Sequence, residues 1–177
     1  MNKAMGLYES GSCPELEDFC RKFLLNALSV KAVDVDGNIV GVVISGLETL
    51  KEDSAQDLIN AAENCKNEKF KKILYVFSRR EFGHKLWEKY PEVKQIFNVK
   101  LASTDPAWRN KGIMKALLER IELLRMGTSN VFSAYCAERN GFTCVFSAKF
   151  ADIKMNGEPL IVPEEPHIDP CKAGAGR

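Results

Sequence analysis

Leu101-Ala-Ser-Thr-Asp-Pro-Ala-Trp-Arg-Asn-Lys-Gly-Ile-Met-Lys-Ala-Leu-Leu-Glu119 is the stretch on which the fold turns. Its first residues close an alternating run that reads as a strand from Val93 to Ser103, with Val99 and Leu101 facing one way. Thr104-Asp105-Pro106 is a turn. From Gly112 to about Leu123, Ile113, Ala116, Leu117 and Ile121 repeat at helical spacing. A strand therefore runs through a basic loop, Arg109-Asn110-Lys111-Gly112, into a helix. The free N–H groups of a helix's first turn and its dipole favour an anion. Gly112 allows close backbone approach, and Arg109 and Lys111 add positive charge. The same residues also fit a plain strand–turn–helix with a solvated basic loop, because R-x-x-G alone is a weak motif.

Outward from this segment, Pro14 to Asn26 reads as a helix with Ser12 as its cap, and Ser29 to Val35 as a strand. Asp36-Gly37 signals a two-residue hairpin into a long strand, Asn38 to Leu50. Gly46 in that strand suggests a bulge or a close backbone approach. Ser54 to Asn64 is a short helix. Glu68 to Tyr90 is a longer one, weakened at Gly83 and stopped by Pro91. The Phe70, Phe77, Phe82 and Trp87 stripe on it reads as core rather than a cofactor box. Asn130 to Asn140 is a helix ended by Gly141. Phe142 to Ile153 reads as a strand, followed by an Asn156-Gly157 turn and a last strand from Glu158 to Val162. The chain after Pro163 is expected to be loosely held. The order predicts one α/β (α+β) domain over residues 1–165, with a mixed sheet, and a flexible tail over 166–177.

The chain has 177 residues, enough for one domain with a real core. Its net charge of +1 argues against a dedicated nucleic-acid binder. No apolar run has membrane-spanning length, and the first residues show no secretory pattern. The six cysteines form no C-x-x-C pair and have only His84 and His167 beside them, so reduced cytoplasmic thiols are expected and no metal site. His84 reads as a surface or structural residue.

Four separated segments carry a family resemblance. The loop at Arg109–Met114 resembles the pattern R-x-x-G-x-[GA], with Met114 at its last position. Thr128-Ser-Asn-Val-Phe-Ser-Ala-Tyr-Cys-Ala-Glu-Arg-Asn-Gly-Phe142 resembles a helix that ends in Gly-Phe before a strand. The early Cys13-Pro-Glu-Leu-Glu…Val-Asp-Gly-Asn-Ile-Val-Gly-Val segment and the Phe150-Ala-Asp-Ile-Lys…Pro-Glu-Glu-Pro-His167 ending complete the order. Together they resemble the GCN5-related N-acetyltransferases, in the insect arylalkylamine (dopamine-type) branch.

That resemblance implies a mixed, mostly antiparallel sheet flanked by helices. It implies transfer of an acetyl or longer acyl group from acetyl-CoA to a primary amine. Leu101, Ala102 and Ser103 would pair with the pantetheine, and Arg109, Asn110, Lys111, Gly112, Ile113 and Met114 would cradle the pyrophosphate. Ser129 and Ser133 match paired serines near the reacting centre; they also fit an N-cap and a small packing residue. His167 matches a histidine that would line the amine pocket, or hydrogen-bond within a tail. Tyr135 fits a proton donor to the departing thiolate, or a partly buried helix residue. The resemblance further implies a small amine as the partner, a monomer, and neither nucleic acid nor membrane.

Three features depart from the family's pattern. The chain begins past the usual first strand and helix, and past the acidic segment whose glutamate is the usual general base. Only Ile113 to Gly127 separate the loop from Thr128. Either Ile121 to Met126 is therefore a strand or that strand is largely lost. Met114 stands where a small residue is usual. A non-catalytic relative that binds acyl-CoA weakly or not at all is the alternative. A P-loop or Rossmann nucleotide module is disfavoured, because neither glycine pattern is present.

Overall fold

The computed structural model describes residue 7 and residues 11–25, 28–119, 124–162 and 171–175. Helices α1 (Pro14–Leu24), α2 (Ser54–Glu63), α3 (Glu68–His84), α4 (Leu86–Lys89), α5 (Ile113–Leu118) and α6 (Val131–Arg139) surround a sheet. Its strands are β1 (Val30–Val33), β2 (Ile39–Thr49), β3 (Gln95–Thr104), β4 (Leu124–Thr128), β5 (Thr143–Ala148) and β8 (Cys171–Ala175). The order is β1-β2-β3-β4-β8-β5, and a separate small ladder joins β6 (Lys154–Met155) to β7 (Glu158–Pro159). All neighbours in the large sheet run antiparallel except β3 and β4. This is the mixed, mostly antiparallel α/β architecture expected.

Two of the three apolar clusters among the described residues hold the layers together, the third joining Val76 of α3 to Phe150, Ile153, Leu160 and Ile161. On one face of the sheet, Leu117 and Leu118 of α5 and Ala137 of α6 pack on Val43, Val99 and Met126. The other cluster joins Leu16 of α1, Ala62 of α2 and Phe70, Ile73 and Leu74 of α3. Close approach fixes where α5 and α1 lie. A Cβ on Gly41 would come within 2.8 Å of Ile113 Cγ2, and one on Gly46 within 2.4 Å of the Phe23 ring. Gly46 therefore serves close approach, as one of its two readings predicts.

Several local expectations are corrected. Cys13, not Ser12, precedes the first turn of α1, and its side chain makes no capping bond. The first hairpin is a three-residue loop: Gly37 N–H donates to Asp34 O at 3.1 Å, Asp34 N–H to Asn38 O at 3.0 Å, and Gly37 takes φ +85°. That is a turn closed by a left-handed glycine rather than a two-residue turn. The long helix breaks at Lys85, which takes φ +44°, and α4 follows. Gly83 stands against Phe146, whose ring would lie 2.0 Å from an added Cβ. Asn156 and Gly157, at φ +54° and +88°, make the tight turn expected between β6 and β7. The last strand of the chain is not 158–162. Residues 171–175 form β8 inside the sheet, hydrogen-bonded to both β4 and β5, so the loose tail expected over 166–177 is corrected for these residues. Glycine and alanine lack the alternation that marks a strand, so β8 has no local signature.

Candidate functional site

The strand in doubt exists as β4, and its pairing creates the site. β3 and β4 run parallel through Phe97–Leu124, Asn98–Arg125 and Val99–Met126. Past these pairs β3 continues to Thr104 along β2, while β4 continues to Thr128 along β8. The two strands part where β3 carries a bulge: Val99 and Leu101 face Ser45 and Ile44, leaving Lys100 as the extra residue.

At this divergence opens a cavity of about 820 Å³. Leu101, Ala102 and Met114 line it, as do Ser129 and Ser133. Five predicted site residues drawn from three segments of the chain thus meet at one opening. Ser103, Arg109, Asn110, Lys111, Gly112 and Ile113 are not among its lining residues and continue outward from Leu101 and Ala102 along the strand, the loop and the start of α5.

The loop itself is well defined. Asp105 Oδ1 accepts from Ala107 N–H at 2.8 Å, and Arg109 Nε donates to Thr104 O at 3.4 Å. Lys111 Nζ lies 4.4 Å above the Trp108 ring. Asn110 and Gly112 both take positive φ, +61° and +79°, and nothing lies within 4 Å of where a Gly112 Cβ would stand. The first-turn N–H groups of α5 have no intrahelical acceptor by construction.

Helix α6 is capped by Asn130, whose Oδ1 accepts from Ser133 N–H at 2.8 Å. Ser129 therefore precedes the helix and is not its cap. The cavity, rather than one helix face, brings Ser129 and Ser133 together. Ser133 Oγ donates to Asn130 O at 3.0 Å, which leaves its oxygen lone pairs able to accept. Tyr135 is 59% exposed, lies beside Arg139 and does not line the cavity. His167 lies outside the described residues.

The floor of the cavity is a buried ion network with no signal in the sequence. Arg125 of β4 donates from Nη2 to Glu48 Oε2 at 2.7 Å and from Nη1 to Glu81 Oε2 at 2.5 Å. Asn98 Nδ2 donates to Glu48 Oε2 at 2.6 Å, and Lys100 pairs with Glu48 Oε1. His84 Nε2 lies 3.3 Å from both Arg125 Nη1 and Glu81 Oε2. His84 is fully buried, so only the structural half of its reading holds. The cluster draws on β2, α3, β3 and β4, so no window of sequence contains it.

Burial pushes the Glu48 carboxyl up, but Lys100, Arg125 and Asn98 bring it below the usual carboxylate value. Burial likewise raises Glu81, while His84, Arg125 and Arg80 hold it down at about 2. Lys100 moves the other way for its class. Burial lowers its ammonium more than the Glu48 carboxylate raises it, and Arg125 and Arg80 add to the lowering. Burial also lowers His84, against the pull of Glu81. Both carboxylates are thus weak bases and His84 is neutral near pH 7.

Phe70 is core, Phe77 lines the cavity and Phe82 is 45% exposed, so the aromatic stripe divides between core, site and surface. Among the described residues, no group of three His, Cys, Asp or Glu side chains could hold a metal, and no helix is long and apolar enough to cross a membrane.

No family model matches the chain. Solved structures do. An arylalkylamine N-acetyltransferase 2 from Aedes aegypti is 25% identical, with a TM-score of 0.87 over 98% of this chain and 84% of that one. A mosquito arylalkylamine N-acetyltransferase like 5b is 20% identical, with a TM-score of 0.83 over 93% and 81%. A Drosophila melanogaster polyamine N-acetyltransferase, described as forming N-acetylagmatine, is 18% identical, with a TM-score of 0.79 over 89% and 78%. The last two speak for the fold alone, and the first extends the likeness to sequence along nearly the whole chain. By strand order, by the parting of β3 and β4 and by these likenesses, the chain has the GCN5-related N-acetyltransferase fold and is similar to insect arylalkylamine N-acetyltransferases.

Proposed function

We propose that the chain transfers an acetyl group from acetyl-CoA to the primary amine of an arylalkylamine or a related small amine. The observation that carries this reading is the parting of β3 and β4 after three pairs, opening into a cavity that holds Ser129 and Ser133. The residues present fit the donor. The β3 segment Leu101–Ser103 offers strand edge for an amide-bearing arm. Arg109, Lys111 and the first-turn N–H groups at Ile113 and Met114 offer an anion cradle that the open Gly112 leaves accessible. When bound, acetyl-CoA supplies an electrophilic thioester carbonyl.

The chain's own residues then orient the acceptor. Ser133, with its proton committed to Asn130 O, accepts an N–H from the amine, and Ser129 lines the same opening. Holding two reactants in register is worth about 7–11 kcal/mol of barrier. One observation favours a second reading, a relative that binds acyl-CoA without turnover. The cavity-lining carboxylates are committed to cations: Glu48 to Lys100 and Arg125, Glu81 to Arg125, and Asp57 to Lys51 at 2.8 Å.

Calorimetric titration with acetyl-CoA, followed by thiol release with tyramine, dopamine and agmatine, separates the readings. Binding with turnover supports transfer, and binding alone supports the second reading. Absence of binding removes acetyl transfer and leaves a non-catalytic relative that does not bind acyl-CoA.

A further inference from the structure

The charges around the cavity do not balance. Five cations line it: Lys22, Lys51, Arg80, Lys100 and Arg125. Three carboxylates face them: Glu48, Asp57 and Glu81. The pairs already described consume Lys51, Lys100 and Arg125. Lys22 is exposed on α1 and hydrated. Arg80 is held differently: its one carboxylate contact among the described residues is with Glu81, which Arg125 shares at shorter range. Its side chain is 11% exposed, and its nearest carboxylate oxygen among the described residues is Glu81 Oε1, at 4.0 Å. Its buried Nε has no hydrogen-bond partner among them.

The chain nevertheless holds this guanidinium at the point where the strands part. Phe77 supports it from α3, with Cζ 5.0 Å from the ring centroid. On β4 it lies against Gly127, where an added Cβ would stand 1.5 Å from Nη1. Gly127 is the residue after the last β3–β4 pair, so a side chain there would displace Arg80 from the apex of the opening. A desolvated guanidinium whose one counter-ion is long and shared with Arg125 is costly, and its planar fork matches a carboxylate.

We propose that Arg80 binds a carboxylate on the acceptor, and that the acceptor is an aromatic α-amino acid rather than its decarboxylated amine. This rests on the acetyl-transfer reading and narrows its substrate. An arylalkylamine with its amine neutral brings no charge to a cavity that already holds a surplus of cations. An amino acid with its amine neutral, as attack requires, brings one negative charge that offsets Arg80. Phe19, Phe23 and Phe77 line the same cavity and suit an aromatic side chain.

The test uses the full chain with CoA present and compares N-acetyl-L-tyrosine with N-acetyltyramine by calorimetry. The two differ only in the carboxylate. N-acetyl-L-tyrosine binds about tenfold tighter, the scale of one charge-assisted pair. Arg80→Leu removes the difference, and Arg80→Lys keeps part of it. Gly127→Ala reduces it while leaving the charge in place. Circular dichroism verifies that each variant is folded. Equal binding of the two ligands, binding of neither, or a preference that survives Arg80→Leu overturns the assignment. Acetyl-CoA binding, measured separately, tells this apart from the broader reading. If acetyl-CoA binds and the preference is absent, only the Arg80 assignment falls. If the preference holds and acetyl-CoA does not bind, the transfer reading falls and takes the acceptor role with it, while the carboxylate contact at Arg80 stands.

Discussion

At neutral pH the Glu81 carboxylate lies between Arg125 and His84 with 4% of its side chain exposed, and its pKa of about 2 stands well below the 4.5 of a free glutamate. The folded chain therefore binds this proton less readily than the unfolded one. The stability it contributes is complete above about pH 4.5 and is lost as pH falls toward 2. Glu81→Gln removes that dependence, so its unfolding free energy falls less steeply than that of the parent between pH 4.5 and 2. At pH 7 the variant is less stable by about 3 kcal/mol, because Arg125 stays buried with one partner neutralised. Urea titrations across this range check both points; parallel slopes would assign the acid sensitivity to other carboxylates. Gly46 is the second decisive residue. Gly46→Ala drives a Cβ into the Phe23 ring, which stands 2.4 Å from its position, and costs about 1–3 kcal/mol by denaturant titration. Gly46 was legible from the chain, because a glycine inside an apolar strand has few explanations. Glu81 was not. On a helix rich in Lys, Arg and Glu it reads as one more solvated charge, and its partner Arg125 lies 44 positions from it and 77 from Glu48, which Arg125 also binds.

At the scale of elements, β3, the loop and α5 were the most legible unit, since strand alternation, Asp-Pro punctuation and helical spacing all change within Leu101–Glu119. The extent of β4 could not be read, because Leu124-Arg-Met-Gly-Thr128 offers no alternation and only its pairing with β3 and β8 defines it. The start of α6 moved by one residue for a similar reason. Ser129 and Asn130 are both good caps, and the contact of Asn130 with Ser133 N–H decides between them. The left-handed Gly112 makes the loop testable as an element. Gly112→Ala places a Cβ at φ +79°, a conformation that costs an L-residue about 1–2 kcal/mol. Open space around it means the cost is conformational rather than steric. Thermal unfolding registers this modest loss. On the acetyl-transfer reading, calorimetry also registers weaker acetyl-CoA binding, as the backbone relaxes away from the anion cradle. Unchanged stability would show that the backbone adopts another conformation at this position.

For the whole molecule, the deciding fact is that the sheet is closed by residues far from its centre in sequence. β4 has three register pairs with β3 and four with β8, and among the described residues β5 joins the sheet only through β8. β8 is therefore an internal strand that holds the two halves of the sheet together. Composition hid this, because Cys171-Lys-Ala-Gly-Ala175 follows a proline-rich approach and carries none of the β-branched or aromatic residues that mark strands. The consequence concerns the site as much as the fold. The parting of β3 and β4 requires β4 to be held from its far side, and β8 is what pairs with Arg125 through Thr128 there. Ending the chain after Val162 removes β8, leaves the facing edges of β4 and β5 without partners, and frees the strand that carries Arg125 and Gly127. The truncated chain is expected to lose cooperative unfolding and to expose apolar surface, seen as a broad thermal transition with dye binding. A dispensable tail would leave the transition sharp. Adding residues 163–177 back as a separate peptide is expected to restore part of the cooperativity by strand addition, which a merely truncated and unfolded chain would not permit.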